Sequence, residues 1–163
     1  MGIVLCSVAL AGAVFRGVRG AEARRIAVAE HEVAARSARR DADIAFFSRR
    51  VAADPIGAAD RSRLAALYLQ RARETANYED YRRAERLARR SLYLRVAHND
   101  YTYEVLTSTL LAQHRFAEAH ATARALNARS PGVTGHRALL AETALELGRY
   151  REARALAPRH RRR

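Results

Sequence analysis

The amino-acid sequence predicts an all-α fold of antiparallel helical hairpins stacked into a short α-solenoid. Three observations predict it. Alanine, leucine and arginine dominate a chain with only three prolines and eight glycines, and these residues lose little conformational freedom in a helix. A pattern in the C-terminal half recurs: Phe116, Ala119 and Ala123 return 34 residues later as Tyr150, Ala153 and Ala157. Small and large apolar residues alternate around it at helical spacing, as closely approaching helices need. At 163 residues the chain suffices for one domain or one short array with a real core.

The elements follow in chain order. Residues 1–19 hold an uncharged apolar run, Ile3 to Phe15, shorter than the roughly 20 residues that span a bilayer. The run suits the apolar part of a secretory signal, and Ala11-Gly12-Ala13 has the small-x-small form of a cleavage site. No positive charge precedes it, whereas Arg16 and Arg19 follow. Export or membrane association is the expectation, with a buried N-terminal helix as the simpler alternative. Residues 20–43 read as a helical lead-in without the large-small alternation. Residues 44–55 read as a second helix of a hairpin, with Phe47 and Val51 as apolar positions and Asp54-Pro55 as its end.

The next hairpin carries Leu64, Ala65 and Tyr68 on its first helix and Tyr81, Ala84 and Ala88 on its second. Asp60 and Asn99 (or Asp100) are candidate helix caps, and Ser130-Pro131-Gly132 is the clearest break. Leu106 and Leu110 precede Phe116 by ten and six residues, as Leu140 and Ala144 precede Tyr150. Pro158 ends the pattern, leaving residues 158–163 as a basic tail.

A 34-residue period, an aromatic opening the second helix, alanines three and seven positions on, and Pro131 between units resemble the tetratricopeptide repeat family. The resemblance covers residues 44–157. It implies close helix contacts at Ala65, Ala84, Ala119, Ala141 and Ala153, with Leu64, Leu106, Leu140, Tyr68, Phe116 and Tyr150 filling the gaps between. In the family the step from the first-helix aromatic to the second-helix aromatic is shorter than the one from Tyr68 to Tyr81. The difference of about two turns predicts a longer first helix and a protruding loop near Thr75 to Glu79.

The resemblance also implies a concave groove lined by first helices. Its candidate partner-binding residues are Tyr101, Glu104, Ser108 and Leu111, then Ala138, Glu142, Leu145 and Glu146, with Ser62, Gln70 and Arg73 from the longer hairpin. The basic and asparagine pattern by which some relatives clamp a terminal carboxylate is not present. Glu104, Glu142 and Glu146 point to a basic or polar partner segment, or else they merely balance nearby arginines.

Charge and chemistry narrow the function classes. The net charge is +13, and all 30 basic residues are arginine. A phosphate-binding surface competes with a compositional bias spread along the chain. The single cysteine, Cys6, excludes an intrachain disulfide. No glycine-rich phosphate loop, nucleophile elbow or His-Glu-x-x-His is present. His114 and His120, six residues apart, read as exposed or capping residues rather than metal ligands. No catalytic residue, cofactor or metal is therefore expected, nor a small-molecule substrate. The expected function is a non-enzymatic scaffold for another protein or peptide, with self-association through the C-terminal hairpin. The alternative is an arginine-rich binder of nucleic acid or anionic surfaces, through Arg82, Arg83, Arg86, Arg89 and Arg90 with Tyr78, Tyr81 and Tyr93 nearby.

Overall fold

The computed structural model describes residues 3–156, with residues 3–21 and 23 described through their backbone alone. The cleavage-site reading therefore has no side chains to test it, and Ala157 and the tail 158–163 lie outside the described residues. Seven helices follow one another: α1 Ile3–Ala53, α2 Ala58–Thr75, α3 Tyr78–Leu94, α4 Asp100–Ala112, α5 Phe116–Arg129, α6 Thr134–Glu146 and α7 Tyr150–Leu156. The described residues contain no strand. None of their helices is long and apolar enough to cross a membrane.

Two compact units divide the chain between Ala42 and Asp43. The first is the N-terminal part of α1, on which Ile26, Val28 and Val33 are exposed. The second holds the end of α1 and all later helices. Within it consecutive helices from α2 onward pack pairwise, and the first helices also touch one another, α2 with α4 and α4 with α6. This is how hairpins that cannot bury their apolar sides alone share one core.

The alanines make that packing possible. Ala65, Ala84, Ala88 and Ala119 are fully buried in one cluster with Leu106 and Leu110, and Ala123 and Ala144 are sealed equally. Ile44, Leu64 and Leu67 form a second cluster, covered by Phe47, Val51, Tyr68 and Leu87. Two expected packing positions differ. Ala141 is only half-buried, and Tyr150 is 70% exposed, since α7 has its backbone close to α6 alone among the described helices.

The repeat is also visible in the backbone. His114 and Gly148, 34 residues apart, both take left-handed φ, +56° and +70°. Each ends a first helix with the same pair of bonds. The His114 and Gly148 amides donate to the carbonyls of Leu111 and Leu145, and the Arg115 and Arg149 amides to those of Leu110 and Ala144. Carbonyls left over at the helix end are satisfied this way. Ala76, φ +54°, occupies the equivalent exit of α2.

Helix α2 is longer than α4 or α6, 18 residues against 13, as the wider aromatic spacing requires. The expected protruding loop is absent. Only Ala76 and Asn77 separate α2 from α3, because Asn77 Oδ1 accepts the Glu79 amide at 3.0 Å and starts the next helix at once. The added turns are locked by Asp80, 1% exposed, which takes both Nε and Nη2 of Arg71 at 2.7 and 2.8 Å.

Of the two expected caps, Asp60 is corrected and Asn99 holds in position only. Gly57 precedes α2, and Asp60 lies in the first turn, where it pairs with Arg50 at 2.9 Å. Asn99 does stand at the start of α4, but its side chain makes no cap bond to that helix. Buried to 4% exposure, it donates to the Arg95 carbonyl at 2.8 Å and to Ser91 Oγ at 3.1 Å, and accepts from the Thr102 hydroxyl. Thr102 Oγ1 lies 2.7 Å from Ser62 Oγ, and Ser91 Oγ donates to the Ala58 carbonyl at 2.8 Å. One polar chain thus ties α2, α3 and α4 together inside the core.

Candidate functional site: the first-helix groove

The faces of α2, α4 and α6 turned away from their second helices form two adjoining depressions. The first, about 450 Å³, lies between α2 and α4 and is lined by Ala66, Leu69, Gln70, Arg73, Glu74, Tyr101, Glu104, Val105 and Ser108. The second, about 430 Å³, lies between α4 and α6 and is lined by Glu104, Ser108, Gly135, Ala138, Leu139 and Glu142. Glu104 and Ser108 belong to both, so one groove runs across three first helices.

Five of the eight candidate groove residues line it: Tyr101, Glu104, Ser108, Ala138 and Glu142. Gln70 and Arg73 line it too. Leu145 and Glu146 are exposed farther along α6, outside the lining. Leu111 packs against the main core cluster. Ser62 is also removed from the groove, since it is buried beside Thr102. The floor residues Leu69, Val105 and Leu139 escaped sequence reasoning. Their signal was available, because Leu69 precedes Arg73 by four positions, Val105 follows Tyr101 by four and Leu139 precedes Glu142 by three, each pair on one helix face.

Electrostatics differ between the groove and the opposite side. There, Glu85 on α3 accepts from Arg115 at 2.6 Å and Arg89 at 2.9 Å, and Glu118 takes Arg115 through two nitrogens, both at 2.7 Å. Burial pushes the Glu85 carboxyl up, but bonds from Arg115, Arg89 and Gln113 outweigh it and hold the group below its ordinary 4.5. The Arg115 bond likewise lowers Glu118, and the same bonds push the Arg115 guanidinium up. Asp100 is held down by the Ser130 hydroxyl, 2.7 Å away. In the groove, by contrast, Glu104 meets only His136 Nε2 among the described residues, at 3.1 Å.

The histidines are placed unlike the expectation for His120. His114 is exposed and set edge-on to Phe116. His120 is buried, with Nδ1 at 3.1 Å from Thr143 Oγ1 and Nε2 at 3.3 Å from the Glu152 carboxylate. It joins α5 to α6 and α7. Among the described residues no three His, Cys, Asp or Glu side chains converge as a metal set.

The arginine face of α3 is largely occupied. Arg83 and Arg86 pair with Glu79, and Arg89 with Glu85 and Glu118. Arg82 and Arg90 stack over Tyr78 and Tyr93. A smaller cleft of about 250 Å³ near the start of α4 gathers Arg63, Arg95 and His98 beside Tyr101.

The fold and this groove define the class: an all-α array of stacked helical hairpins with its open face on the first helices. Beyond the class, no protein-family model matches the chain and no curated protein matches it.

Proposed function

We propose that the protein is a non-enzymatic scaffold of the tetratricopeptide type, which holds a peptide or helix of another protein in the groove of α2, α4 and α6. The observation that carries this reading is the continuity of the groove across three first helices through Glu104 and Ser108. An apolar floor with a polar rim suits a segment docking by a few side chains. The 34-residue spacing of the helix exits at His114 and Gly148 supports the tetratricopeptide assignment. The apolar run Ile3 to Phe15 supports presentation at a membrane surface or export, which fractionation of cells with and without residues 3–15 tests.

The groove reading is tested by filling it. Ser108→Trp places a large ring where both depressions meet, at a position that is only half-buried. Proteins that co-purify with the parent at high salt should be lost from this variant while its melting temperature stays close to the parent's. Retention of the same proteins would place binding elsewhere.

A second reading has one observation in its favour. Arg63, Arg95 and His98 share a cleft and take no ion pair among the described residues, which suits a phosphate or carboxylate group. Binding of nucleic acid that weakens steeply with salt and with Arg63→Gln supports it. The arginines of α3 carry it less well, being engaged internally.

A further inference from the structure

We infer that the partner segment in the groove is anchored by cationic side chains, arginine or lysine; this rests on the groove reading above and names its partner class. The first ground is how the acids of the second unit are used. With arginine in excess, Asp60, Glu79, Asp80, Glu85, Asp100, Glu118 and Glu152 each take an arginine. Glu104 and Glu142, both in the groove lining, take none among the described residues, and Glu104 meets a histidine instead. The carboxylates of Asp43, Asp54 and Glu146, outside the lining, also take no arginine among the described residues, so what sets Glu104 and Glu142 apart is that two such carboxylates stand together in one groove. Arg73 is the single basic side chain among the described residues of the lining and belongs to the α2 side, so the two charged residues of the α4–α6 part, Glu104 and Glu142, are both acidic.

Tyr101 supplies a second, independent ground. Four of the six other tyrosines are covered by the chain's own guanidinium groups: Arg71 and Arg83 lie over Tyr68, Arg82 over Tyr78, Arg90 over Tyr93 and Arg129 over Tyr103; Tyr81 and Tyr150 lie outside the groove lining. Tyr101, in the groove and 45% exposed, carries no such cation among the described residues. An open aromatic face beside Glu104 is where a guanidinium or ammonium is attracted by ring and carboxylate together. Its aliphatic stem would lie along Leu69 and Val105. Net charge makes the inference selective. A protein of +13 repels a basic peptide at long range, so binding of one has to be local.

The probe is a fluorescein-labelled dodecapeptide of three Arg-Leu-Ala-Arg repeats, titrated with the full chain by anisotropy at about 0.15 M salt. Its counterparts carry Glu or Gln in place of Arg. The arginine peptide should bind, the other two at least about ten-fold more weakly, and Glu142→Gln and Glu104→Gln should each weaken it by about ten-fold. Glu79→Gln, on α3, should leave affinity within about two-fold. No binding of the arginine peptide up to about 1 mM overturns the inference. If the glutamate peptide binds best and Ser108→Trp abolishes that binding, the cationic anchor is wrong and the groove stands. If no peptide responds to Ser108→Trp, both fail.

Discussion

Replacing Ala119 by leucine tests the packing on which every hairpin depends. Ala119 has no solvent exposure and lies in the cluster of Ala84, Ala88, Leu106 and Leu110, where α3, α4 and α5 meet. Leucine adds three carbons. Were there room, burying them would stabilise the fold by about 0.8 kcal/mol per carbon, about 2.4 kcal/mol in all. In a filled site the helices must instead separate, and overpacking costs about 1–3 kcal/mol. The sign of the change thus separates a filled core from a void. For a chain of this length 1 kcal/mol moves the melting temperature by about 2–4 °C, so the expected loss is about 2–12 °C. Ala121→Leu is the control, two residues away on α5 and exposed, where a change within about 0.5 kcal/mol is expected. Urea midpoints of the two variants and the parent give the same comparison at constant temperature. Ala119→Leu as stable as Ala121→Leu, or more stable than the parent, would refute the close approach of α5 to α4.

Other expectations follow from single contacts. Asn99→Ala strands Ser91, Thr102 and the Arg95 carbonyl in the core and should cost about 1–3 kcal/mol in urea unfolding. His114→Gly removes a side chain from a left-handed helix exit and should stabilise by up to about 1 kcal/mol, read as a raised melting temperature. Glu85 has its folded-state pKa below its ordinary 4.5, so the unfolded chain binds its proton more readily. Its contribution is therefore fully present above 4.5 and is lost as pH falls through the depressed value. The stability difference between the parent and Glu85→Gln should shrink from neutral pH down to about pH 3; a constant difference would remove the carboxylate's charge from the explanation.

Much of the solenoid was legible because its repeat is written twice in side chains that have one structural meaning. Phe116 and Tyr150 open second helices, and Ala119, Ala123 and Ala153 behind them are buried. The longer α2 could be read from the distance between Tyr68 and Tyr81. Its loop could not, because Asn77 looks alike in sequence whether it belongs to a wide loop or caps a helix after one intervening residue. Asn99 shows the same ambiguity in reverse. It stands where a cap belongs, yet its amide is used inside the core by Ser91 of α3, the Arg95 carbonyl and Thr102 of α4. Burial of His120 was hidden because its neighbours Thr143 and Glu152 come from later helices. For the groove, helical spacing located Tyr101, Glu104, Ser108, Ala138 and Glu142, but whether Glu104 and Glu142 have arginine partners is a fact of three dimensions. Ser62 and Leu111 were misplaced because neighbours distant in sequence decide their position: Ser62 is buried beside Thr102 and Leu111 packs on the main core cluster.

Photo-crosslinking from a benzophenone amino acid at position 108, compared with position 125, tests the groove most directly. Ser108 lies where the two depressions join, and Ala125 is exposed on α5, which contributes nothing to the lining. Crosslinks in cells from position 108 to one discrete protein, at a segment bearing arginine or lysine, with none from position 125, are the expected result. Crosslinks from position 125 alone would contradict the groove as the working face of the protein.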